Sequence, residues 1–285
     1  MTISIANATT LGARLLDAAG VGESRMEAGS LLAHVLGRDR TFIIAHAEDP
    51  LTDEQMGLFR RFVGRRAQGE PLQYITGLQE FFKLEFEVTP DVLIPRPETE
   101  IIVETARELL RDEARPFMAD IGTGSGCIVI SLLNELPEAR AVAADTSPLA
   151  LRVARRNAER HGVIDRLMLM ESDCLSALEP AGQFSLIASN PPYISDNERN
   201  AMQREVLYEP AAALFAGPDG LAIIRRLLRD SSLFLQREGY LVFEIGFAQH
   251  EAVKNLIDRD VWKLLEIRED LQHLPRTVVL QNQER

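Results

Sequence analysis

Cysteine and histidine are scarce in this sequence, and they are not grouped. Cys127 and Cys174 are the two cysteines among 285 residues, and neither lies in a CxxC or Cys/His cluster. Zinc sites and dithiol redox sites need such clusters, so we expect no bound metal. The five histidines fall in no catalytic motif, which leaves no sign of a Ser/His/Asp or Cys/His nucleophilic site.

Long apolar runs and excess positive charge are also missing. No segment reaches the ~18 apolar residues that a membrane helix needs, and residues 1–10 lack the pattern of a signal peptide. We therefore expect a cytoplasmic protein that does not associate with membranes. The 31 Lys and Arg against 43 Asp and Glu give a net charge of −12. This charge opposes general attraction to a phosphate backbone, so nucleic acid is not an expected partner.

The N-terminal part has the apolar spacing of short amphipathic helices. Helices are predicted at residues 11–19, 24–36, 40–46 and 53–68. Residues 78–89 then alternate between apolar and polar, which predicts a short hairpin. A connector with two prolines follows at 93–100, and it leads into a helix that ends near residue 110.

From Phe117 onward, strand-like runs alternate with helical segments. Strands are predicted at 117–121, 140–145, 167–172, 184–189 and 239–245, and helices at about 126–136, 148–161, 219–236 and 247–258. This alternation is typical of a doubly wound sheet of parallel strands. Two further apolar runs, 262–267 and 277–281, have a short connection, which predicts antiparallel pairing at one edge. The fold class is α/β: a seven-stranded, Rossmann-like sheet whose last strand is antiparallel, preceded by a small helical domain.

A glycine-rich loop, Gly122 to Gly126, joins the first of these strands to the next helix. Ligands of α/β sheets bind beyond the strand ends, and glycine lets the backbone approach them closely. Cys127 stands where a dinucleotide fingerprint would need glycine, and no Gly-Lys-Ser/Thr follows. The loop therefore indicates neither NAD-type binding nor a P-loop.

Acidic residues follow at the ends of the next two strands. Asp145 lies about 20 residues beyond the loop, where a carboxylate can accept hydrogen bonds from ribose hydroxyls. Asp173 ends the third strand, on the expected adenine side. The loop and these two acids, without phosphate-binding residues, indicate S-adenosyl-L-methionine as cofactor and S-adenosyl-L-homocysteine as product. Simpler roles stay open: either acid could cap backbone amides, and Gly126 could serve only helix packing.

The tetrapeptide Asn190-Pro191-Pro192-Tyr193 follows the fourth strand and is the most informative segment. Each proline restricts the preceding residue to extended geometry and lacks a backbone donor. The Asn190 side-chain oxygen and the Pro191 carbonyl thus form a stiff pair of acceptors for a planar NH2 group, beside the Tyr193 ring. We predict Asn190, Pro191 and Tyr193 as catalytic residues, and all four residues as substrate-binding.

The sequence resembles the class I methyltransferases, and more narrowly the PrmC/HemK family, the peptide chain release factor glutamine N5-methyltransferases. The resemblance covers nearly the whole length. It is carried by EPLQYITG at 70–77, LIPRPETE at 93–100, the glycine loop, the tetrapeptide at 190–193, and the segment 209–221, which begins EP and ends LFAGPDGL.

The resemblance implies methylation of the glutamine in the Gly-Gly-Gln loop of bacterial-type release factors. It implies a helical substrate-recognition domain at 1–77, a hairpin and linker at 78–95, and an S-adenosylmethionine-dependent methyltransferase domain at 96–285. With Asp173 added from its place at a strand end, the expected cofactor-binding residues are Gly122, Thr123, Gly124, Ser125, Gly126, Asp145, Asp173, Cys174 and Asn190.

Two alternatives remain open. Adenine-N6 methyltransferases share the tetrapeptide, because an exocyclic NH2 group offers the same two hydrogens after base flipping. The sequence shows no basic groove or extra recognition domain for such a substrate. A non-catalytic module that docks on translation factors would have the same fold but would bind no cofactor.

Overall fold

A computed structural model describes residues 3–283 of the chain. Residues 1, 2, 284 and 285, at the outer ends of the first and last predicted domains, lie outside the described part. The chain divides into two compact units. One comprises the chain up to Leu78 together with Gln203–Tyr208, and the other comprises Gln79–Met202 and the chain from Glu209 onward.

The N-terminal unit is helical. Its helices are α1 (Ile5–Ala18), α2 (Ser24–Leu36), α3 (Arg40–Ala45), α4 (Asp53–Ala67) and α5 (Leu72–Thr76). The first begins at Ile5 rather than at residue 11, because Ser4 caps it by accepting a hydrogen bond from the Asn7 amide at 3.4 Å. Gly12 allows α1 and α4 to approach closely, since a Cβ there would lie 2.6 Å from the Phe59 ring.

A buried ion pair holds Gln203–Tyr208 within this helical unit. The Arg66 side chain is 7% exposed and pairs with Glu27, and its Nη1 lies 3.0 Å from Glu205 Oε1. The Tyr208 hydroxyl also donates to the Gln68 carbonyl at 3.2 Å. A segment that is far along the chain is thereby part of the N-terminal unit.

The second unit begins with a hairpin and continues as an α/β sheet. Its elements are β1 (Leu78–Phe81), β2 (Leu84–Glu87), α6 (Glu100–Leu110), β3 (Phe117–Ile121), α7 (Cys127–Glu135), β4 (Arg140–Asp145), α8 (Pro148–Arg160), β5 (Leu167–Glu171), β6 (Phe184–Ser189), α9 (Ala211–Leu214), α10 (Ala222–Asp230), β7 (Leu235–Glu244), α11 (His250–Leu256), β8 (Trp262–Glu269) and β9 (Pro275–Asn282). Strand β1 starts at the last residue of the helical unit.

The sheet has seven strands in the order β5-β4-β3-β6-β7-β9-β8. Neighbours from β5 to β7 pair in parallel, and β9 pairs antiparallel with both β7 and β8. The predicted α/β class with an antiparallel last strand is confirmed. Strand β9 inserts between β7 and β8, so β8 forms the edge.

One predicted helix, 219–236, is wrong at both ends. Helix α10 begins at Ala222, because Gly220 adopts a left-handed φ of 71° just before it. At the other end the chain enters β7 at Leu235, which pairs with Phe184 of β6. Phe234 and Leu235 are both buried against the sheet, and this burial favours the strand over continuation of the helix.

Apolar side chains cover both faces of the central strands. One core cluster contains Ile102 of α6 and Leu132 of α7, and the other contains Leu227 of α10 and Trp262 of β8. Strand β6 is buried at each of its six positions. Such burial is expected of parallel strands with helices on both faces, and it leaves their carboxyl ends as the place for a ligand.

Candidate active site

A cavity of about 240 Å³ lies at the carboxyl ends of β3, β4, β5 and β6. Ten of the residues predicted from the sequence line it. They are Gly122, Thr123, Gly124, Ser125, Asp145, Asp173, Cys174, Asn190, Pro191 and Pro192. The fold therefore brings together residues from four separate strand ends. The remaining two predicted residues, Gly126 and Tyr193, are not on the cavity wall.

The glycine loop is bound to the neighbouring strand β4. The amides of Gly122 and Thr123 both donate to the Ala144 carbonyl, at 2.8 and 3.0 Å. Gly122 and Gly124 have φ values of 76° and 55°, and a Cβ on either would enter open space. Glycine is needed here for its backbone conformation, and it leaves the adjoining cavity free of side chains.

Gly126 has a different role from the other glycines of the loop. Its φ is 82°, and a Cβ would lie 2.8 Å from Ile130 Cδ1 and 3.3 Å from Ala154 Cβ. These atoms belong to α7 and α8, so Gly126 allows the two helices to pack closely. Its place in the cofactor site stays a prediction, and the geometry favours the packing alternative.

Asp145 ends β4 with both carboxylate oxygens engaged by backbone amides. Oδ2 accepts from Gly124 N and Oδ1 from Ser147 N, each at 2.9 Å. Burial raises the pKa of Asp145, whereas these hydrogen bonds oppose the rise. Each oxygen keeps a further lone pair. The carboxylate can therefore cap the backbone and still accept a hydroxyl hydrogen from the cavity.

Asp173 and Cys174 form the wall after β5. Asp173 Oδ1 pairs with Arg226 Nη1 at 2.7 Å, and the guanidinium lowers the pKa of this carboxyl. Arg226, on α10, was not identified from the sequence. Cys174 has a left-handed φ of 52°, and burial raises the pKa of its thiol. Its side chain therefore presents a neutral, half-buried SH group rather than a thiolate.

Asn190 lies at the centre of a buried hydrogen-bond network. Its Nδ2 donates to Thr99 Oγ1 at 2.9 Å, and Thr99 Oγ1 donates to Glu244 Oε2 at 2.6 Å. Thr99 and Glu244 are 2% and 1% exposed. Within residues 3–283, Asn190 Oδ1 has no hydrogen-bond partner. It is not among the fully buried side-chain atoms that lack a partner, so it is accessible. The acceptor end of the Asn190 amide is thus free at the cavity.

Tyr193 belongs to the same network but does not face the cavity. Its hydroxyl interacts with the buried carboxylate of Glu244, and burial raises the pKa of the phenol. Its backbone carbonyl accepts from Gln249 Nε2 at 2.9 Å. The ring packs beside Gly246, where a Cβ would lie 3.4 Å from Tyr193 Cδ2. Tyr193 therefore lies beside Glu244 and off the cavity wall, and its contact with a substrate amide stays a prediction.

Thr99 and Glu244 were missed as site residues, although the sequence offered a signal for each. Thr99 lies inside the proline-containing connector at 93–100, which the sequence indicated only as a rigid linker and as one of the segments that resemble the family. Glu244 is an acid within the apolar run of β7, between Phe243 and Ile245. An ionisable residue in a buried strand usually has a partner or a function.

Glu209 joins two walls of the cavity. Its buried carboxylate accepts from the Ile94 amide at 3.1 Å and from the Arg96 guanidinium. Leu93 and Pro95 flank these donors, and Pro210 follows Glu209, and all three line the cavity. The two segments that carry the more specific part of the resemblance therefore contact each other at the site.

Metal-binding clusters and membrane-spanning helices are both absent from the described part of the chain, residues 3–283. No group of His, Cys, Asp and Glu residues there could hold a metal ion. No helix among residues 3–283 is long and apolar enough to cross a membrane.

Comparison with known proteins gives matches along nearly the whole chain. A family model described as the PrmC N-terminal domain matches residues 7–77, and one described as the methyltransferase small domain matches residues 99–240. A release factor glutamine methyltransferase of Burkholderia pseudomallei is 42% identical over 88% of this chain and 90% of its own. One from Geobacter sulfurreducens is 45% identical over 84% and 83%.

The fold also matches solved structures. A methyltransferase from Pyrococcus furiosus superposes with a TM-score of 0.51 and 16% identity, covering 72% of this chain and 91% of its own. At this identity the match concerns the fold alone.

Proposed function

The chain belongs to the release factor glutamine methyltransferase family, and from this premise we propose the reaction that it catalyses. It transfers a methyl group from S-adenosyl-L-methionine to the side-chain amide nitrogen, N5, of the glutamine in the Gly-Gly-Gln motif of peptide chain release factors. The protein is an S-adenosylmethionine-dependent protein-glutamine methyltransferase.

The observation that supports this reaction most directly is the orientation of the Asn190 amide. The Thr99 hydroxyl has a single hydrogen, which it donates to Glu244, so its oxygen accepts from Asn190. Only the NH2 end of Asn190 can make that contact. While Glu244 is ionised, the Asn190 oxygen is thereby held as an acceptor at the cavity, as the recognition of a substrate NH2 group requires.

The cavity residues fit S-adenosyl-L-methionine. The open backbone at Gly122 and Gly124 admits a ligand without side-chain clashes, and Asp145 can accept ribose hydroxyl hydrogens. Asp173 and Cys174 flank the adenine position. When bound, this group supplies a methyl carbon that is activated by a neighbouring sulfonium charge.

The protein's part in the chemistry is to orient an amide nitrogen, which is a poor nucleophile because its lone pair is delocalised. The Asn190 oxygen and the Pro191 carbonyl accept the two amide hydrogens, which points the nitrogen at the methyl carbon. The N–C bond forms as the C–S bond breaks, the bonding electrons stay on sulfur, and one amide proton is then released. Fixed acceptors of this kind contribute through positioning and electrostatics, with up to ~7 to 11 kcal/mol available from orientation in favourable systems.

The test is mass spectrometry of the Gly-Gly-Gln peptide after incubation of a release factor with the enzyme and S-adenosyl-L-methionine. We expect a gain of one methyl group on the glutamine with the wild-type enzyme, and a loss of ~10²-fold or more in rate with Asn190→Ala. Unchanged methylation by Asn190→Ala would contradict the acceptor scheme.

The same preparation tests the alternatives. Methyl transfer to adenine in DNA, and not to the release factor, would support an adenine-N6 methyltransferase. Failure to bind S-adenosyl-L-methionine in isothermal titration calorimetry would support a non-catalytic module.

A further inference from the structure

Glu244 is a buried acid that lies behind the reaction site and does not itself contact the substrate amide in the reaction described above. It is 1% exposed at the end of β7. Thr99 donates a hydrogen bond to it, and the Tyr193 hydroxyl lowers the pKa of its carboxyl. Through Thr99 it is connected to Asn190, whose Nδ2 lies 2.9 Å from Thr99 Oγ1.

The position of Thr99 argues against a purely structural role for its hydroxyl. Thr99 occupies the N-cap position of α6, where threonine ordinarily accepts a hydrogen bond from the first turn of the helix. Here its side chain makes no such bond. The hydroxyl lies instead between a buried carboxylate and the side-chain amide of Asn190.

The direction of each hydrogen bond in this chain depends on Glu244. An ionised carboxylate can only accept, so the Thr99 hydrogen points to Glu244 and the Thr99 oxygen must accept from the Asn190 NH2. A protonated or amidated side chain at position 244 can donate to Thr99. The Thr99 hydrogen is then free to bond the oxygen of Asn190, and the reversed Asn190 amide would present NH2 to the cavity.

We propose that Glu244 is a positioning residue which, acting through Thr99, holds the Asn190 amide with its oxygen toward the substrate NH2 group. The inference rests on the proposed function, in which that oxygen accepts a hydrogen from the glutamine amide. Neither Thr99 nor Glu244 touches the reacting atoms. Their effect is to exclude the reversed amide, which would repel the substrate NH2.

Other charged and titratable groups act on Glu244 from the elements around it. Arg276 of β9 and the Tyr193 hydroxyl favour the ionised form, whereas Glu98 disfavours it. The Cys127 thiol is also within electrostatic range of Glu244.

Thr99→Val, with Thr99→Ser as its matched control, tests the proposal. Valine has nearly the shape of threonine but no hydroxyl, whereas serine has the hydroxyl and lacks the methyl group. We expect kcat on a release factor to fall ~10- to 100-fold in Thr99→Val, as for the loss of an orienting contact. Thr99→Ser should recover most of kcat, and the dissociation constant for S-adenosyl-L-methionine should change less than ~3-fold in both. Wild-type kcat in Thr99→Val, or equal losses in the two variants, would overturn the proposal.

A second measurement does not depend on turnover. In protein labelled with 15N at asparagine, the side-chain NH2 signal of Asn190 is assigned by its disappearance in Asn190→Ala. We expect this signal to shift, and its protons to exchange faster with solvent, in Thr99→Val and not in Thr99→Ser. An unchanged signal in Thr99→Val would overturn the proposal even if the enzyme methylated no release factor. If the wild-type enzyme methylated no release factor but the expected signal shifts were seen, the proposed function would be overturned and the positioning role of Glu244 would not.

Discussion

The pH dependence of methyl transfer should report the ionisation of Glu244. Burial raises the pKa of Glu244 to about 7, and the hydrogen bond from Thr99, the Tyr193 hydroxyl and the charge of Arg276 limit the rise. Ionised Glu244 selects the Asn190 orientation that accepts from the substrate. Protonated Glu244 permits the reversed one. The rate should therefore fall as the pH is lowered through the pKa of this carboxyl.

The size of the effect follows from the ionised fraction. With a pKa of about 7, roughly a tenth of the enzyme is ionised one pH unit lower, and roughly a hundredth two units lower. The single-turnover rate should then fall by up to tenfold for each pH unit below 7, until the slower rate of the protonated form is reached. Above pH 8 it should be nearly constant, because Glu244 is already ionised.

Glu244→Gln is the control, because glutamine has the shape of glutamate and does not titrate. It can accept from Thr99 or donate to it, so we expect a slower enzyme with no pH dependence from this site. Single-turnover rates at saturating cofactor and release factor, measured from pH 5.5 to 9 for both proteins, isolate the chemical step. Parallel profiles for the two proteins would refute the reasoning, because any shared slope must come from another group.

Three other perturbations separate stability from binding. Burial raises the pKa of Asp120 to about 7, so its ionisation destabilises the fold: the stability it contributes is complete below about pH 4 and is lost as the pH rises through 7. Asp120→Asn should then raise the urea midpoint at pH 8 but not at pH 4, and equal shifts at both pH values would contradict this. Gly126→Ala should destabilise the protein by ~1 to 3 kcal/mol through its left-handed φ and its clash with α7, whereas Gly124→Ala, which has the left-handed φ but a Cβ that meets open space, should destabilise it less and should weaken cofactor binding. Calorimetry measures the affinity for S-adenosyl-L-methionine, and urea unfolding measures stability. Losses of affinity and stability in the same proportion in both variants would contradict this prediction. Arg96→Met should lower the free energy of unfolding by ~1 to 3 kcal/mol, because it removes the charged partner of buried Glu209; this range allows for the partial exposure of Arg96. Glu209→Gln should lower the free energy of unfolding by less. A larger loss in Glu209→Gln would show that the ion pair is not the cause.

Local chemistry explains why most of the fold was predictable. The strands Phe117–Ile121, Arg140–Asp145 and Phe184–Ser189 have the predicted bounds, because each is a compact apolar run between turn residues. Helix Ser24–Leu36 also has its predicted bounds. The failure at 219–236 has a tertiary cause: Phe234 and Leu235 are buried against the sheet, and that packing outweighs helical spacing.

The sequence also indicated most of the cavity wall, because ligand residues of a parallel sheet follow its strand ends. Asp145, Asp173 and Asn190 could be identified from that rule without knowledge of their distances. The same rule could not separate Gly124 from Gly126, since both are loop glycines with a left-handed φ. Only the neighbours of each Cβ show that one adjoins open space and the other faces a helix.

The sequence by itself determined the strand and helix order, the antiparallel last strand, and the rigid Asn190-Pro191 acceptor pair, because these depend on neighbouring residues and on proline geometry. Only the tertiary structure decided which end of the Asn190 amide faces the cavity. That choice depends on Thr99 and Glu244, which are 145 positions apart, and on a contact between Thr99 and Asn190 across 91 positions. Hydrogen-bond direction is a property of groups that meet in space, so a pattern of neighbouring residues could not contain it.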